Sequence, residues 1–144
     1  MRLQNLTKIV VSGLSAAVSF LVLAVGLSFL LPVGPVSDDL GFQIQLLMVT
    51  GKRFYLVLIG IFIFMTAWSY IYFLIQRSLP GLTWGKGLLF GGLMMFVGFW
   101  LQHRFYLSLL YRDWPSGLIG SDLFILLLAS LAAGVTLSFV QEKV

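Results

Sequence analysis

Gly87–Tyr111 reads GLLFGGLMMFVGFWLQHRFYLSLLY, and its reading decides the fold. The stretch is long enough to cross a bilayer, which takes about 20 apolar residues. Gly87, Gly91, Met95 and Gly98 fall on one face at helical spacing. Small residues on one face let helix backbones approach closely in a membrane. Gln102, His103 and Arg104 then follow in succession before the chain turns apolar again. Successive helical residues are turned by about 100°, so the three cannot meet one partner. Gln102 continues the glycine face, His103 aligns with Gly92, Phe96 and Phe99, and Arg104 with Val97 and Trp100.

Outward from this stretch, three further apolar blocks of spanning length appear, at 9–31, 54–75 and 118–140. With 87–111 they predict an all-α integral membrane protein, four transmembrane helices in a compact bundle with short loops. The first block is too long for the core of a signal peptide and ends in Leu31-Pro32, so it reads as a retained span. Ser12, Ser15, Ser19 and Gly26 share one of its faces. Met1–Lys8 reads as a polar lead and Gln141–Val144 as a tail. Pro32, Gly34 and Pro35 stop the first helix. The apolar run within 38–50 is too short to span and reads as an interfacial or re-entrant segment, or as an early start of the second span. Gln76–Lys86 is a tight connection between the second and third spans.

Composition agrees. Of 144 residues, 60% are hydrophobic and 10% charged, with a mean hydropathy of +1.03. Soluble domains carry about 25% charged residues. Four spans nearly exhaust the chain, so residues 1–144 read as one membrane domain. The net charge is +4. The cations are scattered at the ends of apolar blocks, which fits lipid headgroups and argues against nucleic acid as a partner. Arg2, Lys8, Arg77, Lys86 and Lys143 would lie on one side, and Lys52, Arg53 and Arg112 on the other. This bias predicts both termini inside. There is no cysteine, which removes disulfides, thiolate metal sites and cysteine nucleophiles.

The run Trp84-Gly85-Lys86-Gly87-Leu88-Leu89-Phe90-Gly91 resembles the start of the third span in small four-span bacterial membrane proteins. In these the fourth span closes with alternating alanines and glycines, as Ala129 to Gly134 does. The resemblance covers the C-terminal part of the chain. It implies a four-helix bundle and no activity.

Asp122 needs the most explanation. A carboxylate inside a span is costly, about 3 kcal/mol at mid-membrane on insertion scales. Its helical face continues through Leu126, Ala129, Ala133 and Thr136, a small-residue face that points it inward. Arg104 would lie about 10 Å, and Asp122 about 6 Å, below the same membrane boundary. The expectation is an ion pair stapling the third span to the fourth. A proton or solute pathway and snorkelling of Arg104 to the headgroups are the competing readings. Asp38 and Asp39 fall in the outer loop, where they read as helix caps or solvated charges.

His103 is the sole histidine, so a haem with two histidine ligands from one chain is excluded. A metal site built from His103, Asp38, Asp39 and Asp122 has no spacing motif behind it. Met94, Met95 and the 13 phenylalanines read as packing and lipid contact in preference to a lipid, quinone or pigment pocket. No phosphate loop, nucleophile elbow or H-E-x-x-H is present. The sequence therefore predicts no catalytic residue, no metal and no cofactor. Its candidate intramembrane cluster is Gln102, His103, Arg104 and Asp122, with Asp38 and Asp39 as outer-loop acids. The expected role is a structural or accessory subunit in a bacterial inner membrane, partnered by the lipid bilayer and by itself or other membrane subunits. The alternative is a small oligomeric transporter or channel using Arg104, Asp122 and His103.

Overall fold

The computed structural model describes residues 3–30, 53–100 and 116–143. Every element among them is helical. Helix α1 is Leu3–Leu30, α2 is Arg53–Ile75, α3 is Thr83–Leu93 and α4 is Ser116–Lys143. Helix α3 runs directly into a π-helical segment, Met94–Trp100. Leu3–Leu27, Leu58–Ile75 and Leu123–Lys143 are each long and apolar enough to cross a membrane. The third expected span is described only to Trp100, and the segment at 38–50 lies outside the described residues.

The helix ends differ from expectation in instructive ways. Helix α1 begins at Leu3, so most of the expected polar lead is helical. The Thr7 hydroxyl folds back on the Leu3 carbonyl at 3.2 Å, which spares that polar group a solvent partner. Helix α4 starts at Ser116 and continues to Lys143, absorbing most of the expected tail. Helix α3 starts at Thr83, so its first turn comes from residues read as connection. The true connection is short. The Gln76 amide donates to Tyr72 at 2.8 Å and the Ser78 amide to Ile75 at 2.9 Å, closing the end of α2. Gly81 then takes φ +99°, a left-handed conformation suited to glycine, and Leu82 is extended ahead of α3.

The π-helical segment carries no signal in the sequence. It holds more residues per turn than an α-helix. The 100° reckoning that aligned Gln102, His103 and Arg104 with upstream faces therefore does not carry across Met94–Trp100.

Helix α4 packs against both α1 and α3, and α1 also packs against α2. Each neighbouring pair is antiparallel. On α1 and α4, Ser12 meets Gln141 and Ser19 meets Thr136. On α3 and α4, Gly87 meets Val135 while Gly91 meets Leu131. The start of α1, the end of α2, the start of α3 and the end of α4 thus gather at one end of the molecule.

Two kinds of contact hold the interior. In a membrane the lipid is as apolar as the core, so close packing replaces hydrophobic expulsion as the driving force. Between α3 and α4 the packing is backbone on backbone. A Cβ placed on Gly91 would lie 2.5 Å from the Ser130 carbonyl oxygen and 2.8 Å from the Leu131 Cα. Gly134 faces the backbone of Gly87 and Gly91 just as closely. Between α2 and α3 the gap is filled by rings. Phe90 stacks edge-on against Trp68 at 5.6 Å and against Tyr72 at 5.0 Å. Ala16, Ala17, Met65, Met94, Ala129, Ala133 and Leu137 complete one buried apolar cluster with these rings.

Candidate functional site

The gathered end of the helices holds the main polar cluster among the described residues. Its members come from three helices, Ser12 on α1, Ser69 on α2 and Gln141 on α4. Ser12 and Ser69 are wholly buried, and Gln141 is 4% exposed. The two serine hydroxyls lie 2.7 Å apart. The Ser12 hydroxyl lies 2.6 Å from the Lys8 carbonyl and 3.3 Å from that of Ile9. The Ser69 hydroxyl donates across to the Ile9 carbonyl at 2.8 Å. The Gln141 amide nitrogen donates to Ser69 Oγ at 3.0 Å, to the Ser69 carbonyl at 3.0 Å and to Ser12 Oγ at 3.2 Å.

Each side chain is held there by a local cause. Ser12 belongs to the small-residue face of α1, and beside it Gly13 sits against the Thr66 backbone. A Cβ on Gly13 would lie 2.7 Å from the Thr66 Cα, so α1 and α2 touch at this level. That contact brings Ser69, one turn further along α2, under Ile9. Gln141 is one turn past Leu137 and continues the buried face of Ser130, Ala133, Gly134 and Leu137. Further bonds surround the cluster. Tyr72 and Ser138 share a side-chain hydrogen bond. The Thr83 hydroxyl donates to Glu142 at 2.5 Å, tying the start of α3 to the last turn of α4.

The chemistry available here is hydrogen bonding between neutral groups. A serine nucleophile needs a base as the acceptor of its proton. Here each hydroxyl reaches a main-chain carbonyl of α1, which is how a helix staple is built. One group is left over. Gln141 Oε1 is buried without a protein partner, as is the Ser130 hydroxyl further along α4. An unmet buried acceptor costs about 1–3 kcal/mol. Among the described residues, no three His, Asp or Glu side chains gather as a metal site would require.

The residues singled out from the sequence fall elsewhere. Gln102, His103, Arg104, Asp38 and Asp39 lie outside the described residues. Asp122 lies in α4, whose start at Ser116 puts it about 9 Å along that helix at 1.5 Å per residue. Downstream, Ala129 and Ala133 of its expected face are buried, and the Thr136 hydroxyl donates to Ser19 at 2.9 Å. Ser12 and Ser19 thus act as a helix-contact face, whereas Gly26 meets nothing within 4 Å.

Gln141 is the residue that sequence reasoning missed. The polar run Gln141-Glu142-Lys143 looks like a solvated tail. A signal was nevertheless present. Extending the helical spacing of Gly134 and Ser138 past Val140 lands on Gln141, three residues beyond Ser138 and seven beyond Gly134.

No family model, curated protein or solved structure matches the chain.

Proposed function

We propose that the chain is a four-span integral membrane protein, a compact four-helix bundle with both termini on the cytoplasmic side of a bacterial inner membrane. Its role is that of a structural or accessory subunit that packs with itself or with other membrane subunits. The carrying observation is the fate of the polar side chains where the helix ends meet. Ser12, Ser69 and Gln141 are buried and bonded to one another across three helices. A pathway for water or ions would leave such groups open to a cavity. In contrast, the outward faces carry large apolar side chains such as Val18, Ile63, Leu89 and Phe124, offered to lipid or to partners.

A small oligomeric transporter or channel is the second reading. It rests on Asp122 inside α4 together with Arg104 and His103 in the adjoining sequence. Native mass spectrometry of the protein extracted from its source membrane separates the two. A self-assembly or a stoichiometric membrane partner is the result expected for the subunit reading. A lone monomer without partners would overturn it. Proton or solute flux into liposomes that is lost in Asp122→Asn would establish the transporter instead.

A further inference from the structure

Each of the four helices brings one cation to the end where Ser12, Ser69 and Gln141 meet. Lys8 stands on α1, Arg77 two residues past the end of α2, Lys86 on α3 and Lys143 on α4. Arg77 and Lys143 are exposed, and Lys8 and Lys86 are half-buried. Among the described residues none of the four has an ion-pair partner. Glu142 is the one carboxylate described at this end, and it accepts from the Thr83 hydroxyl. Four cations against one carboxylate leave an excess of three positive charges.

The hydrogen-bonded level of Ser12, Ser69 and Gln141 sets the depth of these groups. At 1.5 Å per residue, Lys143 lies about 3 Å and Lys8 about 6 Å further out, and the end of α2 before Arg77 about 9 Å. Lys86 lies slightly inside that level, because its neighbour Gly87 touches Ser138. The headgroup layer is about 5–8 Å thick on each side of a bilayer, and long basic side chains extend along the protein to reach it. Trp84, 55% exposed, stands among these cations, as aromatic residues do at a membrane surface. Helix α3 begins without a side-chain cap, so its first amides add donors for a phosphate beside Lys86. An acidic protein would dock on one side of the bundle. The headgroup layer is the partner that touches all four helix ends at this depth.

We infer that this end of the bundle is a collar for acidic phospholipids, holding headgroups of net negative charge in preference to zwitterionic ones. The collar is independent of the subunit role, since a monomer and an assembly carry the same cations. The full chain is to be placed in bilayers of equal parts phosphatidylglycerol and phosphatidylcholine, and the lipids it retains counted by native mass spectrometry. The expected result is a several-fold excess of phosphatidylglycerol. The excess should vanish when Lys8→Gln, Arg77→Gln, Lys86→Gln and Lys143→Gln are combined. Arg53→Gln, at the opposite end of α2, should leave it unchanged. Equal retention of the two lipids by the unmodified chain overturns the inference, and that reading stands even if the combined variant fails to fold. An excess that survives the combined variant, or that falls as far with Arg53→Gln, overturns it too. Adducts of inorganic phosphate in pure phosphatidylcholine bilayers, without enrichment of acidic lipid in the mixed ones, would assign the cations to free anions and likewise overturn it.

Discussion

Helix α3 uses adjacent residues for opposite kinds of packing. Gly91 meets α4 backbone to backbone, while Phe90, one residue earlier, reaches across to Trp68 and Tyr72 of α2. The first contact depends on the absence of a side chain and the second on the presence of a large one. Their tolerances should therefore be opposite. The glycine seam has no room for an added methyl, and the aromatic seam has no substitute for a lost ring. A membrane sharpens this contrast, because apolar surface gains little by leaving lipid and shape carries more of the stability.

The hardest blow to the comparison is Gly134→Ala. Its Cβ would run into the backbone of Gly87 and Gly91, which cannot rotate away. The expected loss is about 3 kcal/mol or more, the upper range for overpacking, read as unfolding free energy in bicelles. A loss below 1 kcal/mol would show that the two helices can separate cheaply. Phe90→Ala tests the other seam. The side chain is fully buried between two rings. Soluble cores lose about 3–5 kcal/mol for such a change, but lipid removes much of the transfer part, so about 2 kcal/mol is expected here. A matching rise in thermal stability on adding a small aromatic such as benzene would identify the vacated space.

Smaller effects belong to the polar cluster. Ser69→Ala removes a donor to Ile9 and an acceptor of Gln141. Interhelical hydrogen bonds in membranes contribute about 0.6 kcal/mol each on average, so a loss of about 1 kcal/mol is expected. Gln141→Leu should cost less than Ser69→Ala. It also removes the unmet Oε1 acceptor, which offsets part of the lost bonding. Side-by-side melting of the two variants decides this, and the reverse order would mean that Oε1 has a partner in the membrane. Gly92→Ala should have the smallest effect. Its Cβ would meet nothing within 4 Å, and alanine favours the helix by up to about 1 kcal/mol. Neighbouring glycines would thus respond with opposite signs.

Much of this was legible from residue spacing. Gly87 and Gly91 lie against α4, as their spacing predicts, whereas Gly98, inside the π-helical segment, lies against Phe64 and Trp68 of α2 instead. Ser12 and Ser19 likewise meet partner helices. These features follow from one helix considered alone, since a small-residue stripe fits only a close neighbour. Gln141 escaped because its local sequence is polar, and only the contact of α1 with α4 gives it acceptors. Phe90 escaped for the related reason that an aromatic residue in an apolar span fits lipid and core equally well. The emphasis on Gln102, His103, Arg104 and Asp122 came from charge and polarity alone, which single out costly residues without supplying their partners.

Composition and hydropathy by themselves determined a membrane protein with apolar helices of spanning length, because a long uncharged run with satisfied backbone bonds has no other stable environment. Periodicity then determined which face of each helix could approach another. Tertiary structure alone decided that α4 sits between α1 and α3, that Phe90 closes the gap to α2, and that α3 gives way to a π-helical segment at Met94. Those outcomes depend on how several surfaces fit together at once. Spacing along one chain segment carries no record of the distance to another.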